Sequence, residues 1–174
     1  MQLVIPSSKY KKSFLEMVEE YQRETATNRI DISFLKTSDL KKHFQAYVDQ
    51  LLGESYGKHL PSGYVSHTTY WLIDGDELIG RADIRHSLTE KLLQEGGHIG
   101  YDIRPSKRRK GYGRDILKLV LQKVKTLGLT KVLITCDETN SGSKKIIEAN
   151  GGIFENSVVV SNRKPKKLRY WILL

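Results

Sequence analysis

The sequence predicts a mixed α/β domain in which helices flank a sheet. Three observations support this fold class. Apolar residues recur at helical spacing in four segments, β-branched and aromatic residues alternate or cluster in six shorter ones, and glycine-bearing turns separate the two kinds. The 174 residues show no break in composition, so we expect a single domain spanning residues 1–174.

Composition narrows the class of protein and of partner. Hydrophobic residues make up 39% and charged residues 28%, which favours a soluble globular chain over a disordered one. No apolar run approaches the roughly 20 residues of a membrane span, and the N-terminus lacks a signal-peptide pattern. We therefore expect a cytoplasmic protein without a membrane partner. The net charge of +9 predicts an anionic partner.

Metal and disulfide chemistry are not expected. Cys136 is the only cysteine, which excludes a disulfide framework, and a lone cysteine in a buried strand usually fills the core. The five histidines are scattered without the spacing typical of metal ligands, so no metal site is predicted.

The first half of the chain predicts two amphipathic helices and a hairpin. Residues 9–23 carry apolar side chains at helical spacing, and Ser38 or Asp39 is a candidate N-cap for a second helix that reaches Leu52. The two hairpin strands and the turn between them are expected at 64–73, 78–84 and 74–77.

A strand is predicted over residues 98–104. Its alternation places Ile99, Tyr101 and Ile103 on one face. The opposite face carries His98, Gly100 and Asp102. The apolar and polar sets therefore point to opposite sides of the sheet.

The turn after this strand, Arg104–Arg114, has two glycines spaced by one residue and six cationic side chains with no acidic one. A helical stripe follows it directly. N–H groups at a helix N-terminus lack acceptors, the helix dipole favours an anion there, and glycine lets the backbone approach a ligand. The pattern favours a phosphate cradle. The alternative is a solvated basic turn.

The remaining elements complete the α/β pattern. The helix after the basic turn is apolar from Ile116 to Leu127 and is expected to stop at Gly128, in the C′ position. A buried strand is predicted over 131–136, and a further helix with Ser143 as its N-cap. Two closing strands and the basic turn between them are expected at 153–160, 168–173 and 163–167.

Several motifs of this half share an order and spacing that point to one family. A strand and a proline precede the pattern Arg/Gln-x-x-Gly-x-Gly/Ala; an Asn then lies three residues before a small helix-opening residue, and that helix closes with Gly and an aromatic. The residues that meet these patterns are Arg108, Gly111, Gly113, Asn140, Ser143, Gly152 and Phe154. In this order, residues 97–154 resemble the GNAT superfamily of acetyl-CoA-dependent N-acetyltransferases.

The resemblance implies a fold and a cofactor site. A central twisted mixed sheet flanked by helices would splay between the strands at 98–104 and 131–136, and acetyl-CoA would lie in that splay. Backbone groups of Tyr101, Asp102 and Ile103 would bind its pantetheine arm. Its pyrophosphate would be held at the motif that Arg108 opens, by the N–H groups of Arg109, Lys110, Gly111, Tyr112, Gly113 and Arg114. Asn140 and Ser143 would line the opposite wall.

The same resemblance frames the catalytic residues. His98 lies where these strands often carry a Glu, and its unperturbed pKa of about 6.5 suits a general base, so we expect His98 in that role, with Glu95 and Asp83 as alternatives. A histidine that only shapes the pocket is the competing interpretation. The tyrosine that often acts as general acid would fall at Ile147, so that role is filled from elsewhere or not needed. Candidates for it are Tyr101, Tyr170 and Ser143.

The expected function is therefore transfer of an acetyl group from acetyl-CoA directly to a primary amine of a small molecule, peptide or protein. The alternative is a non-catalytic nucleic-acid- or CoA-binding module, suggested by the pI of about 9.5. Nucleic acid is the less expected partner, because the cations concentrate at one glycine turn. A monomer and a homodimer are both compatible with the sequence, and the apolar final strand from Tyr170 is a candidate for pairing with a second chain.

Overall fold

The computed structural model describes residues 1–24, 36–162 and 164–174. Its helices are α1 (Lys11–Arg23), α2 (Thr37–Glu54), α3 (Glu90–Gln94), α4 (Tyr112–Thr126) and α5 (Ser141–Ala149). Its strands are β1 (Gln2–Val4), β2 (His67–Asp74), β3 (Glu77–Arg85), β4 (Ile99–Ile103), β5 (Lys131–Asp137), β6 (Ile153–Val158) and β7 (Lys167–Leu173). The predicted order of helices and strands is confirmed, and β1 and α3 are added to it. Arg163, within the predicted basic turn, lies outside the described residues.

The strands form two antiparallel sheets. One has the order β1-β2-β3-β4 and the other the order β5-β7-β6. Between β4 and β5, the described residues form only an isolated bridge, Gly97 to Ile134. The expected mixed sheet is thus divided where the resemblance placed the splay.

The final strand is central, not at an edge. Trp171 of β7 lies opposite Leu133 of β5 on one side and Ile153 of β6 on the other. Its backbone is therefore already paired on both sides, and the expectation that this strand pairs with a second chain is wrong. The edge of this sheet is β6, whose Ile153 and Phe154 are exposed.

Two apolar clusters cover opposite faces of the first sheet. Helix α4 buries Ile116, Leu117, Val120 and Val124, which lie on one side of a helix, against strands of both sheets. Helices α1 and α2 form the second cluster around Trp71, whose ring lies 5.0 Å from that of Phe14. Each large buried side chain contributes about 2 to 3 kcal/mol, so these clusters fix both faces of β2 and β3.

Two helix caps differ from the prediction. Helix α2 is preceded by Lys36 and not capped by Ser38 or Asp39, which lie within its first turn. At α5 the N-cap is Asn140, whose side-chain oxygen accepts the N–H of Ser143 at 3.1 Å, so the assignment of Ser143 as the cap is wrong. The stop of α4 at Gly128, which follows the C-cap Leu127, is confirmed. Among the described residues, no helix is long and apolar enough to cross a membrane.

Candidate active site

The site begins as a cleft between β4 and β5. At one end the strands are held together, because the N–H of His98 donates to the Leu133 carbonyl at 2.7 Å, next to the Gly97 to Ile134 bridge. Beyond this point no ladder joins the two strands within the described ranges. The edge of β4 that faces β5 is therefore open along most of its length.

The register of β4 decides which backbone groups face the cleft. Hydrogen bonds from Arg85 N to His98 O (2.8 Å) and from Arg104 N to Ile79 O (2.9 Å) mark the positions that bond to β3. Because bonded positions alternate in an antiparallel ladder, Asp102, opposite Arg81, also directs its backbone to β3. The predicted backbone role of Asp102 is thus corrected.

Tyr101 and Ile103 occupy the other positions and direct their N–H and C=O groups towards the cleft. The carbonyl of Ile103 accepts a hydrogen bond from Arg108 Nε at 3.0 Å, and the oxygen of the Tyr21 hydroxyl lies 3.1 Å from it. What β4 leaves open to a ligand is therefore both backbone groups of Tyr101 and the N–H of Ile103.

The basic turn forms a concave set of amide groups. Arg109 and Gly111 have φ angles of 63° and 90°, in the left-handed region, and such turns direct successive N–H groups towards one point. The N–H groups of residues 109–113 have no acceptor among the described residues. That of Arg114 donates to the Gly111 carbonyl at 2.9 Å, so five of the six predicted phosphate-binding amides are available.

The six cations of this turn divide into two sets. Arg104, Lys107 and Arg108 are paired within the protein, to carboxylates of α1, of its C-cap residue and of β3. The shortest contacts are Arg104 Nε to Glu20 (2.7 Å), Lys107 Nζ to Glu77 (2.6 Å) and Arg108 Nη1 to Glu24 (2.6 Å). Arg109, Lys110 and Arg114 are exposed and form no ion pair with a described residue. Only this second set is free to attract a ligand.

Glu20 also fixes the backbone of the turn. Its carboxylate accepts from the N–H and the hydroxyl of Ser106, both at 3.0 Å, as well as from Arg104. Burial raises the pKa of Glu20, but these hydrogen bonds outweigh it and hold the pKa below its ordinary value. These contacts of Glu20 could not be predicted from the sequence, because the partners are 84 or more residues apart.

The two signature glycines are needed for different reasons. Gly111 takes a left-handed φ that other residues adopt only with strain, and nothing lies within 4 Å of where a Cβ would be. Gly113 has no room for one, since a Cβ would lie 2.5 Å from Cδ1 of Ile146. The first glycine shapes the turn, and the second lets α4 approach α5 closely.

Asn140 and Ser143 lie on the opposite wall, and the Tyr101 side chain approaches them from β4. Asn140 caps α5 and donates to the Ser143 hydroxyl at 3.0 Å, so both of its amide atoms are engaged. The hydroxyl of Tyr101 is buried near Ser143 and Cys136 but makes no well-formed hydrogen bond with a described residue. Burial raises the pKa of Tyr101 and raises that of Cys136 to about 11, so the cysteine stays a thiol.

His98 does not have the geometry of a free base. Its Nδ1 accepts the N–H of Leu133 at 2.9 Å, which places the proton of the neutral ring on Nε2. Burial, with the nearby charge of Arg85, lowers the pKa of His98. As long as this hydrogen bond holds, neither ring nitrogen has a lone pair free to take a proton. The predicted role as general base conflicts with this arrangement.

Glu95, the second predicted base, lies at the C-cap of α3. Its backbone N–H donates to the Lys91 carbonyl at 2.8 Å, and its side chain contacts no charged or hydrogen-bonding partner among the described residues. Glu95 directly precedes the segment that joins β5, but no described residue contacts its carboxylate in a way that would make it a stronger base.

The other face of β4 carries two better placed carboxylates. Asp102 accepts a hydrogen bond from the hydroxyl of Tyr21, and burial raises the pKa of Asp102 to about 7. Asp83 of β3 lies opposite Gly100 and accepts from the Thr69 hydroxyl at 2.8 Å. A Cβ on Gly100 would meet only Arg85 within 4 Å, at 3.8 Å, so the surface over this glycine is open between the two acids.

These features fit acetyl-CoA. The five free amides and three free cations suit its phosphates, the open edge of β4 suits its amide-bearing arm, and the unpartnered Tyr101 hydroxyl suits a polar atom within the cleft. Among the described residues, no three His, Cys, Asp or Glu side chains gather as a metal site would require.

Comparisons with known proteins agree with this geometry. A family model described as an acetyltransferase (GNAT) domain matches residues 17–153, more than half of the chain. A comparison with curated protein sequences gives no match.

Solved structures share the fold at low identity. The microcin C7 self-immunity acetyltransferase MccE, in complex with acetyl-CoA and AMP, is 13% identical with a TM-score of 0.70, over 99% of this chain and 91% of that one. A ribosomal-protein-S5-alanine acetyltransferase from Vibrio fischeri is 13% identical with a TM-score of 0.68, over 98% and 91%. A spermidine N-acetyltransferase SpeG variant from Vibrio cholerae is 16% identical with a TM-score of 0.62, over 99% and 95%. The predicted fold class is confirmed.

Proposed function

The chain belongs to the GNAT family of acetyltransferases, and from that premise we propose that it moves an acetyl group from acetyl-CoA directly to a primary amine. The predictions of the family, of an acyltransferase and of acetyl-CoA as its co-substrate are confirmed. The direct transfer, the amine and the residues that serve them are the proposal.

One observation supports the proposal most. The edge of β4 is open towards β5 for the length of Tyr101 to Ile103 and ends at a turn with five unpaired amide groups. An extended, amide-bearing arm can add to such an edge as a short strand does, while its phosphates occupy the turn. A basic surface for nucleic acid would not need a strand edge to lead into its charged turn.

The acceptor amine approaches from the polar face of β4. This face lies under α1 and α2, and Gly100 leaves a gap in it that reaches the backbone of the strand. Asp83 and Asp102 flank the gap, and the buried Glu54, paired with His67 at 3.2 Å, adds a third carboxylate to the same side. Arg81 and Arg85 line the same face and offset part of this negative charge. We expect an acceptor that is an ammonium ion when free and that is bound by individual carboxylates and not by a net negative field.

An ammonium acceptor must lose two protons in all, and the departing thiolate must gain one. The first proton goes to Asp102, whose pKa of about 7 lets the carboxyl exchange protons near neutral pH, and the nitrogen then attacks the thioester carbon. The carbon–sulfur bond breaks, and the thiolate takes a proton from the Tyr101 hydroxyl, which burial keeps protonated. The nitrogen loses its second proton as the amide forms, Tyr101 regains a proton from solvent, and Asp102 releases its own proton to solvent.

The hydroxyl of Tyr101 can be tested without altering its backbone. Tyr101→Phe should lower kcat by roughly tenfold or more and leave the KM for acetyl-CoA unchanged. Tyr170→Phe is the matched control, because its buried hydroxyl contacts Glu148 at 3.2 Å and has no part in the proposed transfer. A kcat of Tyr101→Phe equal to that of the parent would exclude Tyr101 as the proton donor.

The function itself is tested in two steps. Binding of CoA to the folded protein should raise its melting temperature as the CoA concentration rises. Release of the CoA thiol from acetyl-CoA is then followed with a panel of amines that includes polyamines, amino acids and peptides with a free N-terminus. Thiol release that depends on the amine supports the proposal. No thermal shift with millimolar CoA, together with salt-sensitive binding of DNA or RNA, would favour the basic binding module instead.

A further inference from the structure

The segment before β4 is fastened to β5 by side-chain as well as backbone contacts. We call Gly96, Gly97 and His98 the clasp. Its hydrogen bonds run from Gly96 N to Thr135 Oγ1 (2.9 Å), from His98 N to Leu133 O (2.7 Å) and from Leu133 N to His98 Nδ1 (2.9 Å). Within the described residues, the clasp contributes every hydrogen bond that ties the start of β4 to β5.

The clasp is itself held in shape. Nη1 of Arg85 donates to the carbonyls of Gly96 and Gly97, at 3.2 and 2.9 Å. Gly97 has a φ of 63°, and a Cβ there would lie 2.4 Å from the Leu133 carbonyl oxygen. A conformation available to glycine, and space for nothing larger, therefore bring His98 against β5.

The His98 ring accepts a hydrogen bond that a backbone carbonyl would accept in a regular sheet. In a regular ladder the N–H of Leu133 would donate to the neighbouring strand, but here it donates to Nδ1 of a buried imidazole. The ring thus satisfies an amide that would otherwise be buried without a partner. It does so at the point where β4 and β5 begin to separate, which lies roughly 10 Å along the strand from Tyr101.

We infer that His98 is a positioning residue, which closes one end of the cleft and sets the distance between β4 and β5, and is not the general base. This inference rests on the proposed function only for its effect on acetyl-CoA. The hydrogen bond to Leu133 can be tested on the protein alone.

Three substitutions separate the two roles of the ring. Asparagine places an acceptor oxygen close to the position of Nδ1, so His98→Asn keeps an acceptor for Leu133. His98→Gln places its oxygen near the position of Nε2 and loses that acceptor, and His98→Ala loses both. A positioning role predicts that Asn resembles the parent protein while Gln and Ala do not. A role as base predicts that all three fail.

The first measurement is hydrogen exchange of the Leu133 amide, followed by NMR. We expect exchange in His98→Asn within about threefold of the parent, and exchange roughly tenfold faster or more in His98→Gln and His98→Ala. The amide of Leu117, in the buried stripe of α4, serves as the internal control and should change much less. Equal protection of Leu133 in all three variants would overturn the clasp, whatever the protein catalyses.

The second measurement is steady-state kinetics over a range of pH. We expect His98→Gln and His98→Ala to raise the KM for acetyl-CoA roughly tenfold, with a pH profile of kcat that keeps the shape of the parent's, and His98→Asn to restore the KM. A loss of kcat in all three variants that removes the lower limb of the pH profile would identify His98 as the base and overturn the inference. If the parent protein shows no acetyl transfer, the proposed function fails while the exchange experiment still decides the role of His98.

Discussion

The two ends of β4 are held by different kinds of contact, and only the first end is joined to β5. At the first end, Gly97 and His98 fasten the strand to β5 through short, uncharged hydrogen bonds. At the other end, Arg104 and Arg108 fasten it to α1 through ion pairs. The first end is held against β5 and the second against the helical layer, so β4 and β5 are joined only at the first end.

The cations of the basic turn have two roles: some stabilise the fold of the turn, and others are available to bind a ligand. A basic turn at the end of a strand is expected to attract an anion, yet half of its cations are neutralised by the protein's own carboxylates. These ion pairs give the turn its shape, and its amides and remaining cations give it affinity.

At the end of β4 held by ion pairs, replacing Arg104 should lower the free energy of unfolding most. Arg104 is 6% exposed and faces three carboxylates, so Arg104→Met should lower the free energy of unfolding by about 3 kcal/mol. Lys107→Met removes a more exposed partner of Glu77 and should cost less than about 1 kcal/mol. Urea unfolding of both variants checks the difference. Equal losses would show that burial of Arg104 does not matter.

At the clasp, a side chain added at Gly97 should lower the free energy of unfolding through a steric clash. Gly97→Ala places a methyl group 2.4 Å from the Leu133 carbonyl oxygen, in addition to a strained φ, and should cost about 2 to 3 kcal/mol beyond a control glycine. The control is Gly75→Ala, because Gly75 has a similar φ of 61° but no atom within 4 Å of the added Cβ. If the two variants unfold at the same urea concentration, the contact of the clasp with β5 is looser than described.

The buried carboxyl of Asp102, in the middle of β4, should show itself in the dependence of stability on pH. The pKa of Asp102 is about 7 in the folded protein, above its ordinary value of 3.8, so the folded state holds a proton that the unfolded state releases. The contribution of this group to stability is therefore complete below pH 4 and is lost as the pH rises through 7. Asp102→Asn should remove this part of the pH dependence. Parallel curves for parent and variant would contradict the raised pKa.

The smallest effect is expected from the exposed cations. Arg109→Ala should raise the KM for acetyl-CoA about threefold to tenfold, more at low salt, and leave the melting temperature unchanged, because Arg109 forms no ion pair with a described residue. Lys107→Ala removes a cation that is already paired and should leave the KM close to that of the parent. A similar rise in both variants would mean that the turn attracts its ligand by total charge.

Much of this could be predicted from sequence, because local patterns encode it. The stripe of α4, its stop at Gly128 and the glycine turn each lie within a few adjacent residues, where periodicity and backbone preference determine the structure. The choice of Asn140 over Ser143 as a cap could not be predicted, since both side chains are able to cap a helix.

Contacts between distant residues explain the remaining differences. The position of His98 on a strand favours a role as base, but its ring nitrogen accepts from Leu133, 35 residues away. The motif places Arg108 at the cofactor site, but its guanidinium is paired with Glu24, the C-cap residue of α1. A titratable side chain has the same identity in either role, and only the fold determines its partner.

The most direct test of the account is a titration of the protein with CoA, followed through backbone amide signals by NMR. We expect the largest shifts at the amides of Tyr101, Ile103 and residues 109–113, with much smaller shifts at Asp102, whose backbone bonds to β3. Shifts confined to other surfaces, or none at millimolar CoA, would contradict the placement of the cofactor in the cleft between β4 and β5.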